Sequence, residues 1–575
     1  RRLAAAPGTG QAALQTLAGW SSLLAGLADL DRGESAAALA ACTAIDTVDP
    51  TLGAARASCQ GRAHRAAGDL PAAARDFAAA LGEHERIAAG LDQRVPLGPG
   101  ERAEDFARAA RVALERGDPK GAWALLLRLD SLSAQERERD RCRELARGEE
   151  ARRWAALDGE SARLRQELRS LPHLAATSRE RQAADLRVAL EEKLRRLSRE
   201  WPGCAPPAQA DDRGVDFRAF AVEDEIVLLG RHARGGGGDG GEGEVEVERR
   251  TPFPRRERLK ALRALAAEID AGDAGDAGDA GGAGGAGPAR VPAPRDVATA
   301  AAEAARWRRL AGPLAAAVLP PHPEALPAVT TYALHGALQL LPLAALPLPT
   351  SLGGPPFFAE RTTVALATAG ARAADGGGPA QRPLFVVDPT EDLGGAERSL
   401  AAYRRLFPDS RVLRGAAATR AAVRGALADA LWLHVDAHAS YDPIFPEMSQ
   451  LELADGPLSL LEWSRLPAPR SFANLSGCRT ASWPTTADSG QYGLGGLLTR
   501  LGARWVVATR GPIPDDAAFL YNQEFYRALA AASTVPAAHA AGLAALRAHQ
   551  PPQVWGAILL LHAAGTAGAV STADA

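Results

Sequence analysis

The sequence predicts an all-α helical region followed by a mostly parallel α/β domain flanked by helices, and three observations predict it. Alanine-rich amphipathic helices separated by Gly-acid turns fill the first part. A middle stretch changes from helical to strand-like period, and from Val329 onward short apolar strands alternate with amphipathic helices. At 575 residues the chain is too long for one hydrophobic core. A formal net charge of -3 gives no electrostatic case for nucleic acid or for an anionic membrane, so neither is expected as a partner.

The first helices share one grammar. "LDRGESAAALAACTAI", "RAAGDLPAAARDFAAAL" and "LERGDPKGAWALLLRL" each set a glycine and an acidic residue ahead of a helix. Glycine supplies the tight turn, and the acid suits the positive end of the next helix. Gly33 to Gly68 spans 35 positions, near the roughly 34 of a tetratricopeptide repeat, but Gly68 to Gly117 spans 49. The region is similar to degenerate tetratricopeptide repeats, whose stacked helix pairs offer a concave groove for a protein partner. Plain helical hairpins are the other reading.

Residues from about Glu149 to Trp201 carry leucines at helical spacing among many charges, as a helical connector would. "DFRAFAVEDEIVLLGRHA" then reads as a hairpin whose partner strand lies in "GEVEVERRTPF". Two glycine-rich stretches, 235–243 and 270–287, hold too little apolar surface to offset their ordering entropy and are expected to be disordered insertions. Helices follow in "RRERLKALRALAAEI" and "VATAAAEAARWRRLAGPLAAAV". The strands of the core are expected in "RPLFVVDP", "RVLRG", "LWLHVDAH", "SFANLSGC", "ARWVVATR" and the apolar run "VWGAILLLHAAG", with amphipathic helices between them. The expected divisions are helical repeats over 1–135, a connector over 136–205, the first part of the α/β domain over 206–327 and its core over 328–575.

In such a sheet, chemistry lies beyond the carboxyl ends of the strands. His438 ends one expected strand and Cys478 the next, so parallel neighbours would bring both to one rim. A thiol and an imidazole there make a nucleophile and its base. The backbone N–H groups of Ala439 and Cys478 are the candidate oxyanion donors. His434, Asp436 and His438 share one face of a strand. Two imidazoles and a carboxylate would suit zinc or iron, but no fourth ligand is evident. Asp436 is instead expected to support a histidine, with His434 beside it. Arg479 and Arg510 are expected near the cleft, solvated. The other cysteines, Cys42, Cys59, Cys142 and Cys204, lack close spacing and are expected as free, buried small hydrophobes, which favours a reducing, cytoplasmic setting. The chain begins with Arg1, so a preceding segment is expected to be missing or processed.

"LWLHVDAHA" and "ANLSGCRTA" resemble the histidine-bearing and cysteine-bearing segments of the CHAT peptidases, caspase-like proteases related to separases and gingipains and often joined to tetratricopeptide repeats. "ALHGALQLLPLAALP", "FFAERTTVALATAGA", "GLGGLLTRLGARWVVATRGPIPD" and "VWGAILLLHAAG" also resemble family segments, in the right order. The resemblance covers about residues 210 to 570. It implies a caspase-like fold, His438 and Cys478 as a catalytic dyad, no metal or organic cofactor, a protein substrate, and a regulatory partner at the repeats. A role in bacterial defence or cell death is a family-level expectation. By resemblance to separases, Asp515 in "GPIPD" would line a pocket for a basic residue, although Gly511 stands where a tryptophan is usual. Ala439 replaces a usual glycine, and a non-catalytic scaffold is the alternative reading.

Overall fold

The computed structural model describes residues 9–45, 50–88, 99–144, 214–232, 244–271, 297–349, 356–368, 382–393, 396–442, 448–464, 466–467, 469, 471–482 and 493–563. The expected insertion over 235–243 and most of the connector lie outside these residues, as does the rest of the 270–287 insertion after Ala271. Contacts divide the chain into two compact units, one of residues 1–97 and 134–208, the other of 98–133 and 209–575.

In the first unit, α1 (Thr9–Asp31), α2 (Ser35–Thr43), α3 (Pro50–Ala66) and α4 (Leu70–Ala88) follow one another through turns. Gly33 and Gly68 hold φ of 79° and 82°, the left-handed geometry that the turn grammar required. Asp69 caps the next helix by accepting the Ala72 N–H at 2.9 Å, whereas Glu34 makes no side-chain cap. Leu23, Ile45 and Leu52 form a small core with Cys42 and Cys59. Those two cysteines are joined in a disulfide, which corrects the reading of them as free thiols. Their separation of 17 residues carries no pairing signal; the packing of α2 on α3 brings them together. With them paired, the case for a reducing compartment loses its basis.

The second unit holds α5 (Pro99–Glu115) and the start of α6 (Pro119–Glu144), a hairpin turning on Gly117 at φ 75°. It shares the turn grammar of the other two hairpins, but Trp123 and Leu126 pack on strand residues Phe220, Val227 and Leu229. Arg218 is buried beneath it, bonded to Asp130 and 5.0 Å over the Trp123 ring. An ion pair and an apolar patch thus tie this hairpin to the sheet.

That sheet has eleven strands in the order β3-β2-β1-β4-β5-β14-β13-β12-β8-β6-β7. They are β1 (Phe217–Val222), β2 (Glu225–His232), β3 (Glu244–Pro252), β4 (Val329–Leu334), β5 (Thr363–Thr368), β6 (Arg382–Val387), β7 (Arg411–Arg414), β8 (Ala430–Asp436), β12 (Phe472–Leu475), β13 (Trp505–Thr509) and β14 (Ile558–Ala563). β1 to β3 form an antiparallel meander, β13 and β14 pair antiparallel, and every other neighbouring pair is parallel. The expected architecture is therefore seen: helices come first in the chain, and a mostly parallel α/β sheet flanked by helices follows. The remaining strands, β9 (Ala439–Ser440), β10 (Gln450–Leu453) and β11 (Gly456–Ser459), make a small antiparallel sheet beyond the carboxyl end of β8.

The longer helices among the sheet's connections are α7 (Arg255–Ala271), α8 (Val297–Val318), α9 (Ala396–Leu406), α10 (Arg420–Leu427), α11 (Leu494–Leu501), α12 (Asp515–Ala530) and α13 (Val535–Arg547). α7 runs through Asp270 and Ala271, so those two residues are helical, not part of an insertion. β14 is buried at all six positions between β5 and β13, as an apolar run in a sheet centre must be.

Candidate active site

β8 and β12 are parallel neighbours with His434 opposite Asn474 and Val435 opposite Leu475. His438 lies two residues past the end of β8 and Cys478 three past the end of β12. Their loops meet at backbone level: a Cβ on Gly477 would stand 2.6 Å from the Ala437 carbonyl oxygen and 3.1 Å from the Ala439 Cβ. Only glycine permits that approach. His438 and Cys478 then line one cleft of about 490 Å³, including space open to solvent, together with Asp436, Ile513, Asp515 and Phe519.

The cysteine loop is pinned to the end of β13. Arg479 donates its N–H to the Gly511 carbonyl at 3.1 Å, Ala481 to that of Thr509 at 2.7 Å, and the Thr509 hydroxyl donates to Gly477 at 2.5 Å. Arg479 itself sits at φ 58°, a left-handed conformation that turns the chain sharply just after Cys478. From below, the Gly495 N–H reaches the Thr480 carbonyl at 2.9 Å, and a Cβ on Gly495 would meet that of Ala508 at 2.9 Å. The glycines of "GLGGLL" therefore serve close helix packing under this loop. The Cys478 Sγ lies 3.9 Å from the Ile513 carbonyl.

His438 is half exposed and has a carboxylate partner that the sequence reading missed: its Nε2 lies 3.1 Å from Asp392 Oδ1. The loop carrying Asp392 is built for it, since Asp388 Oδ1 accepts the N–H groups of both Asp392 and Leu393 at 3.0 Å. The Thr390 hydroxyl and His438, against slight burial, hold Asp392 below the usual carboxylate range. Asp392 follows β6, the neighbour of β8, so it too stands past the carboxyl end of a strand.

Asp436 lines the cleft, and His434 lies beside it. The fully buried His434 has Nε2 2.9 Å from Asp436 Oδ2, at an angle outside hydrogen-bond geometry, and aromatic rings of Phe385, Tyr403 and Tyr526 surround it. Burial pushes the Asp436 carboxyl up, but His434, Ser476 and Tyr403 together bring it below the usual range. Asn522 donates to Ser476 at 2.8 Å and accepts from Asn474 at 2.9 Å, so one polar network runs under both loops. The histidine beside Asp436 is thus His434; His438 turns to Asp392. Among the described residues no group of three or more His, Cys, Asp or Glu gathers as a metal site.

Ala439 stands opposite Leu451, and the Glu452 N–H reaches the His438 carbonyl at 2.9 Å. That pattern marks a non-hydrogen-bonded pair, so the Ala439 N–H points away from β10. Asp515 opens α12, exposed on the cleft wall. Gly511 has no room for a larger residue, since its Cβ would stand 2.5 Å from Ile269 Cγ2. Of the two arginines expected to be solvated, Arg479 is partly exposed and Arg510 is not. Arg479 pairs with Asp270 at 3.0 Å, and buried Arg510 donates to the carbonyls of Gln339 and Leu340.

A thiol and an imidazole thus line one cleft past the carboxyl ends of adjacent parallel strands of an α/β domain. Residues 302–563 match the model of the CHAT domain family, a stretch that includes both groups. No curated protein matches the chain. Among solved structures, it is similar to gingipain R (RGPB), an Arg-specific cysteine proteinase, at 10% identity over 33% of this chain and 48% of that one, with a TM-score of 0.26. It is also similar to the complex of Porphyromonas gingivalis RgpB pro- and mature domains, at 8% identity over 56% of this chain and 79% of that one, with a TM-score of 0.30. The chain thus spans about half the length of the first of these. Likeness of this degree carries no chemistry with it.

Proposed function

We propose that this chain is a CHAT-type cysteine endopeptidase that hydrolyses peptide bonds of a protein substrate with Cys478 as nucleophile and His438 as its base. What carries the reading is the Gly477 contact, which holds the two loops together above one cleft. With Nε2–H donating to Asp392, Nδ1 of His438 is the nitrogen left to take the thiol proton. The thiolate attacks the peptide carbonyl, and the oxyanion is stabilised by the backbone N–H groups of Ala439 and Cys478. His438 then protonates the leaving amine, and water releases the acyl group by the reverse proton path. Asp515 gives the apolar-walled cleft an exposed carboxylate, which supports a basic residue before the cut. No metal or organic cofactor takes part. The helical repeats bind a regulatory partner that releases activity, and a role in bacterial defence or cell death fits such control. A cytoplasmic setting belongs to the same reading, although the paired Cys42 and Cys59 weigh against it.

The test is mass spectrometry after an electrophilic peptide probe, comparing wild type with Cys478→Ala and His438→Ala. Adducts confined to Cys478 and dependent on His438 support the dyad. A Cys478 that reacts no faster in wild type than in His438→Ala would leave a non-catalytic scaffold, the reading that Ala439 and Gly511 favour.

A further inference from the structure

Arg510 follows β13 directly, and its guanidinium is buried where the proposed chemistry has no use for it. It donates to the carbonyls of Gln339 and Leu340, at the end of the short 3-10 helix Gly336–Leu340. The last carbonyls of a helical turn lack partners within it, and a planar fork of N–H groups meets two of them at once. That short helix is a firm anchor. Leu338 within it is fully buried, and the His335 N–H just before it reaches the Ala219 carbonyl of β1 at 3.0 Å.

On the other side, residues 509–511 carry the cysteine loop. The Thr509 carbonyl accepts the Ala481 N–H, the Thr509 hydroxyl donates to the Gly477 carbonyl, and the Gly511 carbonyl accepts the Arg479 N–H. The Arg510 carbonyl completes the set by accepting the Ser482 hydroxyl. Cys478 lies inside the loop that these bonds hold, so the place of Arg510 sets the place of the thiol. Burying a charge is costly, and an apolar side chain of similar volume would serve stability at least as well. Stability alone therefore gives no reason for a guanidinium here, whereas two directed bonds to fixed carbonyls hold one geometry.

We infer that Arg510 is a positioning residue for the nucleophile: by tying the end of β13 to the 3-10 helix Gly336–Leu340, it sets where the cysteine loop holds Cys478 relative to His438. The inference rests on the proposed peptidase reading and adds to it a residue that acts through the loop.

The test follows iodoacetamide alkylation of Cys478 by mass spectrometry in the full chain, with hydrogen exchange over residues 477–482 and thermal melting beside it. Arg510→Met keeps the bulk without the donors and is expected to fold. It should slow alkylation about tenfold, as a small misplacement of a reacting group does. Exchange over 477–482 should speed up, because the Arg479 and Ala481 amides are bonded to residues 511 and 509. Arg510→Lys keeps a cation and its donors without the fork, and is expected to react about threefold more slowly than wild type, between the other two. In a His438→Ala background Arg510→Met is expected to slow the reaction no further, since both changes act on one thiol–imidazole contact. A wild-type rate or wild-type exchange in Arg510→Met overturns the role, whatever the melting temperature, and so does a slowing that persists in full without His438. Should Arg510→Met fail to fold, the slowing and faster exchange of Arg510→Lys decide. Equal rates for wild type and His438→Ala overturn the dyad instead, and exchange over 477–482 then judges Arg510 alone.

Discussion

Asp392 Oδ1 and His438 Nε2 lie 3.1 Å apart although 46 residues separate them in the chain. In the proposed mechanism the contact leaves Nδ1 to take the thiol proton, so its loss frees the imidazole to rotate and to change tautomer. The pair is exposed, which limits its worth in water. Asp392→Asn is expected to lower the rate of Cys478 alkylation at neutral pH by about tenfold, as one charge-assisted hydrogen bond allows. An unchanged rate in stopped-flow alkylation would remove Asp392 from the site.

Gly477→Ala is the sharpest steric test of the paired loops. The new Cβ meets a backbone oxygen at 2.6 Å, and backbone cannot swing aside as a side chain can. Overpacking of this kind costs about 1–3 kcal/mol. The variant is expected to fold, with a lower melting temperature, and to lose most of its probe labelling at Cys478. Full labelling would show that the loops can part without consequence.

Acid should destabilise the α/β unit in a defined window. Burial, against the nearby Asp130 and with Arg218 adding to it, depresses His335 to about 4, and burial takes His539 to about 3. Both are neutral in the folded protein and have an ordinary value near 6.5 when unfolded. The unfolded state then binds more protons between those values, so stability is full above about pH 6.5 and falls as pH drops towards about 4. Each contributes on the order of 3 kcal/mol to that loss. Thermal melts from pH 7 to pH 4 check this, and His539→Gln should flatten the slope.

The Cys42–Cys59 disulfide closes a loop of 17 residues in the first unit. Loops of that size contribute about 3 kcal/mol in the chain-entropy picture. Peptide mapping without reductant should recover the linked pair, and reductant should lower the unfolding temperature of that unit. Two separately alkylated peptides would contradict the bridge.

Much of the site was legible because a parallel sheet gathers its strand ends. Knowing that "LWLHVDAH" and "SFANLSGC" are strands sufficed to expect His438 and Cys478 at one rim, and both line one cleft. Asp392 escaped because a loop acid among many has no pattern; only the bonds from Asp388 and the position of β6 give it a role. Arg510 escaped for a related reason. An arginine ending a strand reads as solvated, and only the fold supplies the Gln339 and Leu340 carbonyls that bury it.

By itself the sequence determined the glycine turns at 33, 68 and 117, the strand and helix periods, and the two residue types fit for thiol chemistry, since each depends on neighbours along the chain. Tertiary structure decided that the third hairpin packs on the sheet and that Cys42 meets Cys59. It also decided that His434 pairs with Asp436 while His438 turns to Asp392. These are contacts between distant segments, fixed by which surfaces the folded chain buries together, and local periodicity carries no record of them.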